Sequence, residues 1–367
     1  MKILYITTIG STMNFFKKFI GELIGKGHTV DIACNDRTSK VPSMYTELGC
    51  KVFTVSCTRS PLNRGTFKAI KEIKKLVTEN EYDIVHCHTP IAAMCTRLAC
   101  RKLRKKKGVR VIYTAHGFHF YKGAPKKNWL MYYPIEKICS RWTDTLITIN
   151  KEDYALAQKK MKAKEVVYVP GVGIDVDKFA NTVVDRISKR QELGIPEDAF
   201  FMLSVGELNE NKNHKTVIKA MSQLENKNVY YAIAGKGELD SELLALANEL
   251  GLGERFKLLG FRSDVAELYK AADCFIHPSF REGLPVSIME AMAAGLPIMA
   301  SKIRGCMDLI DEKSGYLFNP NSVQDCADCL SRITEDDLKV KKKTSMDSAL
   351  KYSKDNINCQ MNSIYYI

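Results

Sequence analysis

The chain has 367 residues, of which 45% are hydrophobic and 26% charged, so it is long enough for two α/β domains of ordinary size. No uninterrupted run of about 18 apolar residues occurs, and the sequence therefore predicts no membrane-spanning helix. Residues 1–170 hold 31 lysines and arginines against 13 aspartates and glutamates, a net charge of +18, whereas the remainder stands at −5. A basic half joined to an acidic half predicts a partner that only one half contacts, and both nucleic acid and an anionic membrane surface fit.

The twelve cysteines follow no disulfide framework. The first residues, MKILYITTIG, resemble a buried strand more than a signal peptide, so we expect reduced thiols in a cytosol. Cys326 and Cys329 form a single C-x-x-C without a second pair, and we expect them to be small apolar residues of one helix. His86 and His88 end a predicted strand, where core packing or the lining of a site is expected rather than a zinc centre.

Residues 1–170 alternate apolar strands with amphipathic helices, which predicts an open parallel sheet covered on both faces. The predicted strands are 3–7, 29–34, 52–55, 84–88, 110–115, 145–149 and 166–169. The clearest helices are 15–25, 66–78 and 128–141. Residues 170–173, Pro-Gly-Val-Gly, then break the pattern where the charge changes sign, so we place a hinge at about 170–180.

The second half repeats this scheme. Its predicted strands are 201–205, 229–234, 256–258, 274–277, 298–300 and 316–318, with helices near 213–223, 239–250, 264–271 and 285–294 and two or three more from about 323 to 364. Ligands of such sheets bind beyond the carboxyl ends of the strands, so motifs at strand ends are the candidates for a site.

Residues 280–301, FREGLPVSIMEAMAAGLPIMAS, predict a loop, a helix and a strand. Glu282 falls in the loop, Pro285 fits the first helical position, and Gly295 with Pro297 ends the helix. Glu290 lies roughly 7 to 8 Å along the helix axis from Pro285. The helix start between the two carboxylates has free N–H groups that could hold a diphosphate. On spacing alone, an amphipathic helix with two solvated glutamates is an equally good interpretation.

The sequence of residues 282–298, E-G-L-P-V-S-I-M-E-A-M-A-A-G-L-P-I, resembles the E-x7-E signature of glycosyltransferase family 4, whose members are retaining enzymes of GT-B fold. The resemblance implies an α/β protein of two Rossmann-like parallel-sheet domains that face each other across a cleft. Residues 1–172 would be the acceptor-side domain and 173–350 the nucleotide-sugar domain. Residues 351–367 would form a helix that packs back on the N-terminal domain, with Tyr365, Tyr366 and Ile367 suited to that contact.

Other motifs match the family pattern at single positions. His116, in A-H-G-F, matches a histidine that lies near the donor sugar. Gly10 matches a short glycine loop after the first strand that lets the backbone approach the donor diphosphate or the acceptor, and we expect it among the donor-binding residues. S-V-G-E-L-N-E-N-K-N resembles the family's S-V-G-R-L…K-N element, in which Lys212 matches the lysine that holds the diphosphate, and Gly206 is expected among the donor-binding residues. Phe261 falls in the turn whose backbone reads the base.

Glu207 departs from the pattern, because the family usually has an arginine there for the diphosphate. We expect Arg262, Arg281 or Arg304 to supply the missing charge.

The resemblance assigns His116, Lys212 and Glu282 to catalysis. For the donor, the family pattern implies contacts from Gly283 and from the N–H groups of Leu284, Val286 and Ser287, with Glu282 on the sugar hydroxyls. Glu290 would accept hydrogen bonds from the ribose.

No metal or other cofactor is implied. Asp175-Val-Asp177, the single D-x-D, lies in the hinge away from the motifs, and we expect it to be structural.

The sequence of the first half is similar to the sequences of bacterial enzymes that extend polyprenyl-diphosphate-linked sugars. The expected donor is a nucleotide diphosphate sugar, most often UDP-linked, and the expected acceptor a lipid-linked sugar. The basic half would then dock on anionic lipid, which implies a cytoplasmic protein peripheral to the inner face of the cell membrane, with no nucleic acid as partner. The alternatives are a nucleotide-sugar epimerase or phosphorylase of the same fold, and a basic nucleic-acid-binding protein.

Overall fold

The structure is a computed structural model that describes residues 1–58 and 63–366. Within these residues the chain divides into two compact units. Unit 1 comprises Met1–Val172 together with the chain from Ile357 onward, and unit 2 comprises Gly173–Asn356. Ile367, one of the residues expected to contact the N-terminal domain, lies outside the described residues.

Unit 1 is built on one parallel sheet, whose described strands lie in the order β3-β2-β1-β4-β5-β6-β7. The strands are β1 (Lys2–Ile9), β2 (Thr29–Asn35), β3 (Val52–Thr54), β4 (Ile84–His88), β5 (Arg110–Ala115), β6 (Thr145–Thr148) and β7 (Glu165–Tyr168). The helices between them are α1 (Lys17–Gly25), α2 (Met44–Glu47), α3 (Arg64–Asn80), α4 (Pro90–Cys100), α5 (Leu103–Lys107), α6 (Lys126–Cys139) and α7 (Lys151–Lys160). Short 3₁₀ turns occupy Gly10–Phe16 and Ser140–Trp142.

Both faces of this sheet are buried. Side chains of β1 alternate between two apolar clusters, with Leu4 and Ile6 in one and Ile3 and Tyr5 in the other. A strand that is covered on both sides has no solvent face, and for this reason its sequence is a continuous apolar run rather than an alternating one.

Unit 2 repeats the design with a parallel sheet in the order β10-β9-β8-β11-β12-β13 over its described residues. Its strands are β8 (Phe200–Val205), β9 (Val229–Ala234), β10 (Phe256–Gly260), β11 (Cys274–His277), β12 (Ile298–Ser301) and β13 (Gly315–Phe318). Its helices are α8 (Val176–Ala180), α9 (Arg186–Glu192), α10 (His214–Gln223), α11 (Asp240–Glu249), α12 (Val265–Ala271), α13 (Val286–Ala293), α14 (Cys306–Leu309), α15 (Val323–Glu335) and α16 (Lys339–Ala349). Three-residue 3₁₀ turns lie at Glu210–Lys212, Gly253–Arg255 and Leu350–Tyr352.

The last helix, α17 (Lys354–Tyr365), ends in the core of unit 1, where Ile357, Ile364 and Tyr365 are buried. The Tyr365 hydroxyl donates to the Tyr5 oxygen at 2.7 Å and lies 2.5 Å from Nδ1 of His86. The chain joins unit 1 at Ile357 instead of the expected residue 351. The reason is local, because the backbone of Ile174 pairs with Tyr352 and Lys354 within unit 2.

Each predicted strand is present in the structure, with bounds that differ by two residues or fewer. The helical region 323–364 contains three helices, α15, α16 and α17. In unit 1 the helix predicted from residue 15 begins at Lys17, because the residues before it, Gly10–Phe16, form a 3₁₀ turn.

A buried ion pair connects α4 with α6 in unit 1. Arg97 NH1 donates to Glu136 Oε2 at 2.8 Å, and the Tyr113 hydroxyl donates to the other carboxylate oxygen at 3.3 Å. The Arg97 guanidinium also lies over the Tyr113 ring. Because both charged groups are shielded from water, each depends on the other for its stabilisation.

We expect Glu136→Ala to lower the free energy of unfolding by about 3–5 kcal/mol, since it leaves the Arg97 charge buried without its partner. The matched control is Glu79→Ala, which removes an exposed ion pair with Lys75 on α3 and should cost under about 0.5 kcal/mol. Urea denaturation followed by circular dichroism measures both. Equal effects of the two substitutions would contradict the role given to the buried pair.

Candidate active site

The order in which the chain adds strands to the sheet of unit 2 reverses between β8 and β11. From β8 the chain goes to β9 on one side, and β11 later pairs with β8 on the other side. A crevice beyond the carboxyl ends of the strands at such a point is where ligands bind to open α/β sheets. Gly206 follows β8 directly and His277 ends β11, so both residues lie at this point.

Glu282 is the centre of the contacts here. Lys212 Nζ lies 2.8 Å from Glu282 Oε1, and His277 Nε2 lies 3.1 Å from the same oxygen. Burial alone would raise the pKa of Glu282, but the hydrogen bond from His277 and the charge of Lys212 outweigh it and hold the pKa well below its usual range. Glu282 is therefore ionised near neutral pH.

Burial lowers the pKa of His277, and this effect is larger than the opposing attraction of Glu282. The ring is therefore neutral near pH 7 and carries its proton on Nε2, where the carboxylate accepts it. The Ser279 hydroxyl lies 3.2 Å from the same nitrogen. The Lys212 ammonium thus supplies the positive charge beside Glu282, and His277 supplies a directed hydrogen bond.

Two loops of unit 2 are tied together beneath these side chains. The Phe280 N–H donates to the Asn211 carbonyl at 2.8 Å, and Asn211 Nδ2 donates to the Arg281 carbonyl at 3.0 Å. Asn213 has a left-handed backbone with φ of 56°, and its side-chain amide donates to the carbonyls of Pro278 and Pro320 at 3.0 Å each. These bonds fix the approach of Lys212 to Glu282.

Glycines allow the loops after β8 and β9 to touch through their backbones. A Cβ on Gly235 would lie 1.7 Å from the Gly206 carbonyl oxygen, and one on Gly237 would lie 2.2 Å from that of Leu208. The G-x-G at 235–237 is thus explained by backbone contact between neighbouring loops. Gly305, with φ of 78°, likewise approaches the Gly283 carbonyl, and a Cβ there would lie 2.3 Å from it.

Helix α13 begins at Val286, so the expectation that Pro285 is its first helical residue is wrong by one position. Pro285 is the N-cap, with the extended backbone (φ −73°, ψ 117°) that a ring-constrained residue adopts before a helix. No side chain caps this end. The N–H groups of Val286 and Ser287 are first-turn donors at the positive end of the helix dipole, where an anion is stabilised.

Glu290 lies five residues into α13 and in a different environment from Glu282. The Tyr269 hydroxyl lies 3.3 Å from Glu290 Oε2. Burial raises the pKa of Glu290 to about 7, and the Tyr269 hydrogen bond and the more distant charges of Lys178 and Lys354 only partly offset it. Near pH 7 this carboxyl group is thus divided between its neutral and charged forms.

The three arginines expected to compensate for Glu207 differ in their surroundings. Arg262 is engaged by Asp264 and by Glu192, whose carboxylates lie 2.5 Å from its NH2 atom. Arg281 is exposed, and Arg304 is buried directly before Gly305, which touches the backbone of Gly283.

Glu207 itself accepts from the Asn209 amide at 2.9 Å. Phe261 follows β10 and its side chain is 75% exposed, so a role in donor binding there stays a prediction.

His116 lies in unit 1, directly after β5. Its Nε2 is 3.1 Å from Nδ1 of His88, a buried residue that ends the neighbouring strand β4. His86, two residues earlier on β4, bonds to Thr114 at 2.8 Å through Nε2 and to Tyr365 through Nδ1. Burial lowers the pKa of His116 to about 4 and that of His86 to about 3, and it also lowers the pKa of His88. All three rings are neutral near pH 7.

A cavity of about 280 Å³ opens next to these strand ends in unit 1. It lies where β1 and β4 end, which is the point at which the strand order of this sheet reverses. Its lining residues are Thr8, Ile9, Thr12, Thr89, Pro90, Ile91, His119 and Tyr132.

Gly10 follows β1, but its lack of a side chain is already explained without a ligand. A Cβ there would lie 2.3 Å from the Ser39 carbonyl oxygen, which accepts the Gly10 N–H. Its predicted role in donor binding stays a prediction.

Two sequence patterns have structural explanations. The Asp175 carboxylate caps α8 by accepting from the Lys178 N–H at 3.1 Å. Cys326 and Cys329 are buried in the core on α15, which confirms the expectation that they are apolar helix residues. Over residues 1–58 and 63–366, no group of three or more histidine, cysteine, aspartate or glutamate side chains is arranged to hold a metal ion.

The sequence analysis did not identify His277, Tyr269 or Asn213 as parts of the site. His277 had the same signal as His116, a histidine at the carboxyl end of a predicted parallel strand. Tyr269 lies on α12, 21 residues from Glu290, and only the tertiary structure shows their contact.

The raised pKa of Glu290 predicts that the free energy of unfolding depends on pH. Because the folded-state pKa, about 7, exceeds the usual value of 4.5, folding favours the protonated form. This contribution is fully present below about pH 4.5 and is lost as the pH rises through 7. We expect wild-type protein to lose about 2 kcal/mol more than Glu290→Gln between pH 5 and pH 8. Urea denaturation at both pH values measures the difference, and parallel losses would contradict the assignment.

Two family models match the chain. The model described as "Glycosyl transferases group 1" matches residues 185–351, and that described as "Glycosyl transferase 4-like" matches residues 2–150. EpsD of Bacillus subtilis, described as a glycosyltransferase, is 39% identical over 296 residues, which cover 79% of this chain and 76% of EpsD. An Escherichia coli enzyme named UDP-Gal:alpha-D-GlcNAc-diphosphoundecaprenol alpha-1,3-galactosyltransferase is 31% identical over 73% of this chain and 70% of its own length.

Solved structures show the same fold. HepE from Anabaena, crystallised with UDP, superposes with a TM-score of 0.82 at 20% identity and full coverage of both chains. WaaG, a glycosyltransferase of lipopolysaccharide biosynthesis, gives a TM-score of 0.75 at 18% identity over 99% of each chain. The identity with EpsD shows the family, and the solved structures show the same fold of two parallel-sheet units. The chain belongs to the group 1, family 4-like glycosyltransferases and has the GT-B fold.

Proposed function

We propose that the protein is a retaining, metal-independent glycosyltransferase that uses a nucleotide diphosphate sugar, UDP-linked, and a polyprenyl-diphosphate-linked sugar acceptor. The product would be a glycan intermediate of bacterial surface polysaccharide or glycoprotein assembly. The transferred sugar would be a hexose or an N-acetylhexosamine. The contact of Lys212 and His277 with a single oxygen of Glu282, beside the uncapped start of α13, carries the proposal.

The donor diphosphate fits this arrangement for electrostatic reasons. Lys212 is a compact cation on a flexible stem, and the first-turn N–H groups of Val286 and Ser287 point out of the helix end. Leu284 supplies a further N–H, whereas Pro285 has none to give. When the diphosphate departs from the anomeric carbon, its increasing charge is stabilised by these groups.

Glu282 remains oriented by His277 when Lys212 moves to the phosphate oxygens. Because the carboxylate is ionised and fixed, it can accept hydrogen bonds from sugar hydroxyls and hold the sugar for attack on the face that the diphosphate leaves. The acceptor hydroxyl would pass its proton to the departing phosphate, so no protein nucleophile is required. This differs from retaining glycosidases, which place a carboxylate across the sugar.

The remaining roles follow the family pattern. Glu290 would accept from the ribose diol, and the backbone at Phe261 would contact the base. His116 would contact the donor sugar as a neutral ring, since burial keeps its pKa at about 4. The cavity lined by Thr89, His119 and Tyr132 is the proposed place for the acceptor in unit 1.

The names of two relatives support the choice of substrates. The Escherichia coli relative is named for UDP-galactose and a diphosphoundecaprenol acceptor. A Campylobacter jejuni relative, 25% identical over 83% of each chain, is named as an N-acetylgalactosaminyltransferase acting on a diphospho-undecaprenol-linked sugar. The net charge of +18 over residues 1–170 supports a cytoplasmic protein that is peripheral to the inner face of an anionic membrane. Among the described residues, no helix is long and apolar enough to cross a bilayer.

The test is transfer from a panel of nucleotide diphosphate sugars to a polyprenyl-diphosphate-linked sugar, in the presence of EDTA. We expect product only with both substrates, retention of the anomeric configuration, and a loss of kcat of about 10²–10³ for Glu282→Ala. Unchanged circular dichroism of the variant is the control for folding. A product that forms without acceptor would indicate an epimerase or a phosphorylase and contradict the proposal, as would near-normal turnover of Glu282→Ala.

We also propose that Arg304 replaces the diphosphate-binding arginine that Glu207 lacks. Arg304→Ala should raise the donor KM by about tenfold or more, because a charge-assisted hydrogen bond to phosphate is lost. Arg304→Lys should recover part of the loss, which a structural defect would not allow. Arg262→Ala is the matched control, since that guanidinium is engaged by Asp264 and Glu192. An unchanged donor KM in Arg262→Ala, Arg281→Ala and Arg304→Ala would exclude compensation by any of the three.

A further inference from the structure

Helix α6 of unit 1 is apolar on the side that faces solvent. Leu130 is 79% exposed, Ile138 49% and Met131 46%, and Pro134 between them is also exposed. At about 100° per residue these four side chains fall within a single arc of the helix. A stripe of this kind is unusual for a surface that meets only water.

Lysines surround the stripe. Lys126 and Lys127 are exposed in the first turn of α6, and Lys137 lies at the edge of the same arc. The single acidic residue of the helix, Glu136, points inward to Arg97. From Arg101 to Arg141 the sequence has twelve lysines and arginines against that one glutamate.

The end of α6 also adjoins the basic helix α5. A groove of about 420 Å³ is lined by Arg101, Lys102, Arg104, Lys105, Lys106, Arg141 and Trp142. Arg104 is neutralised by Asp144, but Arg101, Lys102, Lys105 and Lys106 have no ion-pair partner among the described residues. An apolar stripe and an unneutralised basic cluster thus adjoin on one unit.

The inner side of α6 is firmly packed and therefore holds the stripe in place. Trp129 donates from Nε1 to the Tyr121 carbonyl at 3.2 Å, and Asn128 donates to the His119 carbonyl at 3.0 Å. Cys139 and Glu136 are buried. The ring of Tyr132, also on α6, stacks near His119 and lines the cavity of about 280 Å³.

We propose that the outer face of α6, together with the basic residues of α5, lies on an anionic lipid bilayer, with Leu130, Met131 and Ile138 inserted among the headgroups. This inference rests on the proposed function, because a lipid-linked acceptor would bring its sugar to the cavity that the inner face of the same helix lines. Lysines at the rim keep their charges at the headgroup level while the apolar side chains are buried.

Pro134 favours a lipid interface over a protein partner. Since proline has no N–H, the Leu130 carbonyl on the outer face has no donor four residues later. A protein partner that covered this carbonyl would have to supply a hydrogen bond or leave it unsatisfied. Water and headgroups at a membrane surface satisfy it without a matched donor.

The test is co-flotation of the whole protein with vesicles of phosphatidylcholine, alone or mixed equally with phosphatidylglycerol. We expect binding to the mixed vesicles, weaker binding to the neutral ones, and partial loss at high salt. Leu130→Glu combined with Ile138→Glu should weaken binding to mixed vesicles by about tenfold or more. Lys105→Glu should weaken it by about fivefold and reduce the salt dependence.

The matched control is Val340→Glu on α16 of unit 2. Val340 is 68% exposed and lies among lysines on a surface helix, so this control makes the same kind of substitution in a similar setting, with one added negative charge where the double variant has two. Both tryptophans of the chain, Trp129 and Trp142, lie on or beside α6. A shift of tryptophan emission on addition of vesicles therefore reports a change in the surroundings of α6 or of Trp142 after it, and the flotation assay decides whether the outer face is responsible.

Three outcomes would overturn the inference: wild-type binding by the double variant, equal losses in Val340→Glu, or a change of oligomeric state with vesicle binding unchanged, which would mean that the face contacts a second copy. If the double glutamate variant is unstable, Leu130→Ser with Ile138→Ser replaces it. Turnover of a detergent-solubilised acceptor should be the same in wild type and variant. If the variant loses vesicle binding but keeps normal turnover, the surface acts in membrane binding and not in catalysis. If the wild-type protein binds vesicles but transfers no sugar, the proposed function is contradicted and the lipid-binding surface is not.

Discussion

The interaction on which the site depends is the sharing of one Glu282 oxygen by Lys212 and His277. Desolvation of a carboxylate is unfavourable, and burial by itself would drive Glu282 towards its neutral form. The two donors reverse this, and they come from different loops at the switch point of the sheet. The loop that carries Lys212 is joined to the Glu282 loop by the hydrogen bond from the Phe280 N–H to the Asn211 carbonyl, and Gly305 touches the Gly283 carbonyl beside Glu282.

The two glutamates of one segment show how strongly the surroundings determine a side chain's chemistry. Glu282 and Glu290 are separated by eight positions and are both largely shielded from water. Glu282 has a cation and an imidazole N–H within hydrogen-bonding distance, whereas Glu290 has only a phenol. The first is ionised near neutral pH, and the second changes its protonation there. Two glutamates of one sequence motif thus differ in their charge because their neighbours differ.

Much of the fold could be predicted from the sequence because buried parallel strands are continuous apolar runs and each is followed by a helix with its own period. The Pro-Gly-Val-Gly break and the change of charge indicated a division of the chain at about 170–180, and the boundary between the two units lies after Val172. Contacts between residues far apart in sequence could not be predicted, such as Tyr269 with Glu290. His277 was recognised as a strand end but not as a partner of Glu282, since the loop between them has no regular geometry. The close contact of Gly10 with the Ser39 carbonyl was likewise not predictable, because the two residues are 29 positions apart in the sequence.

The exposed apolar face of α6 could not be predicted either. The helix has apolar residues on both sides, and its sequence does not tell which side is covered. The buried histidines of unit 1 have a related consequence. Burial lowers the pKa of His86 to about 3 and that of His116 to about 4, so these two histidines remain uncharged as the surroundings become mildly acidic. The positive charge of the unit comes from lysine and arginine. Its attraction to acidic partners therefore varies with ionic strength and with the composition of the partner, and the buried rings of His86 and His116 add no charge to it in mild acid.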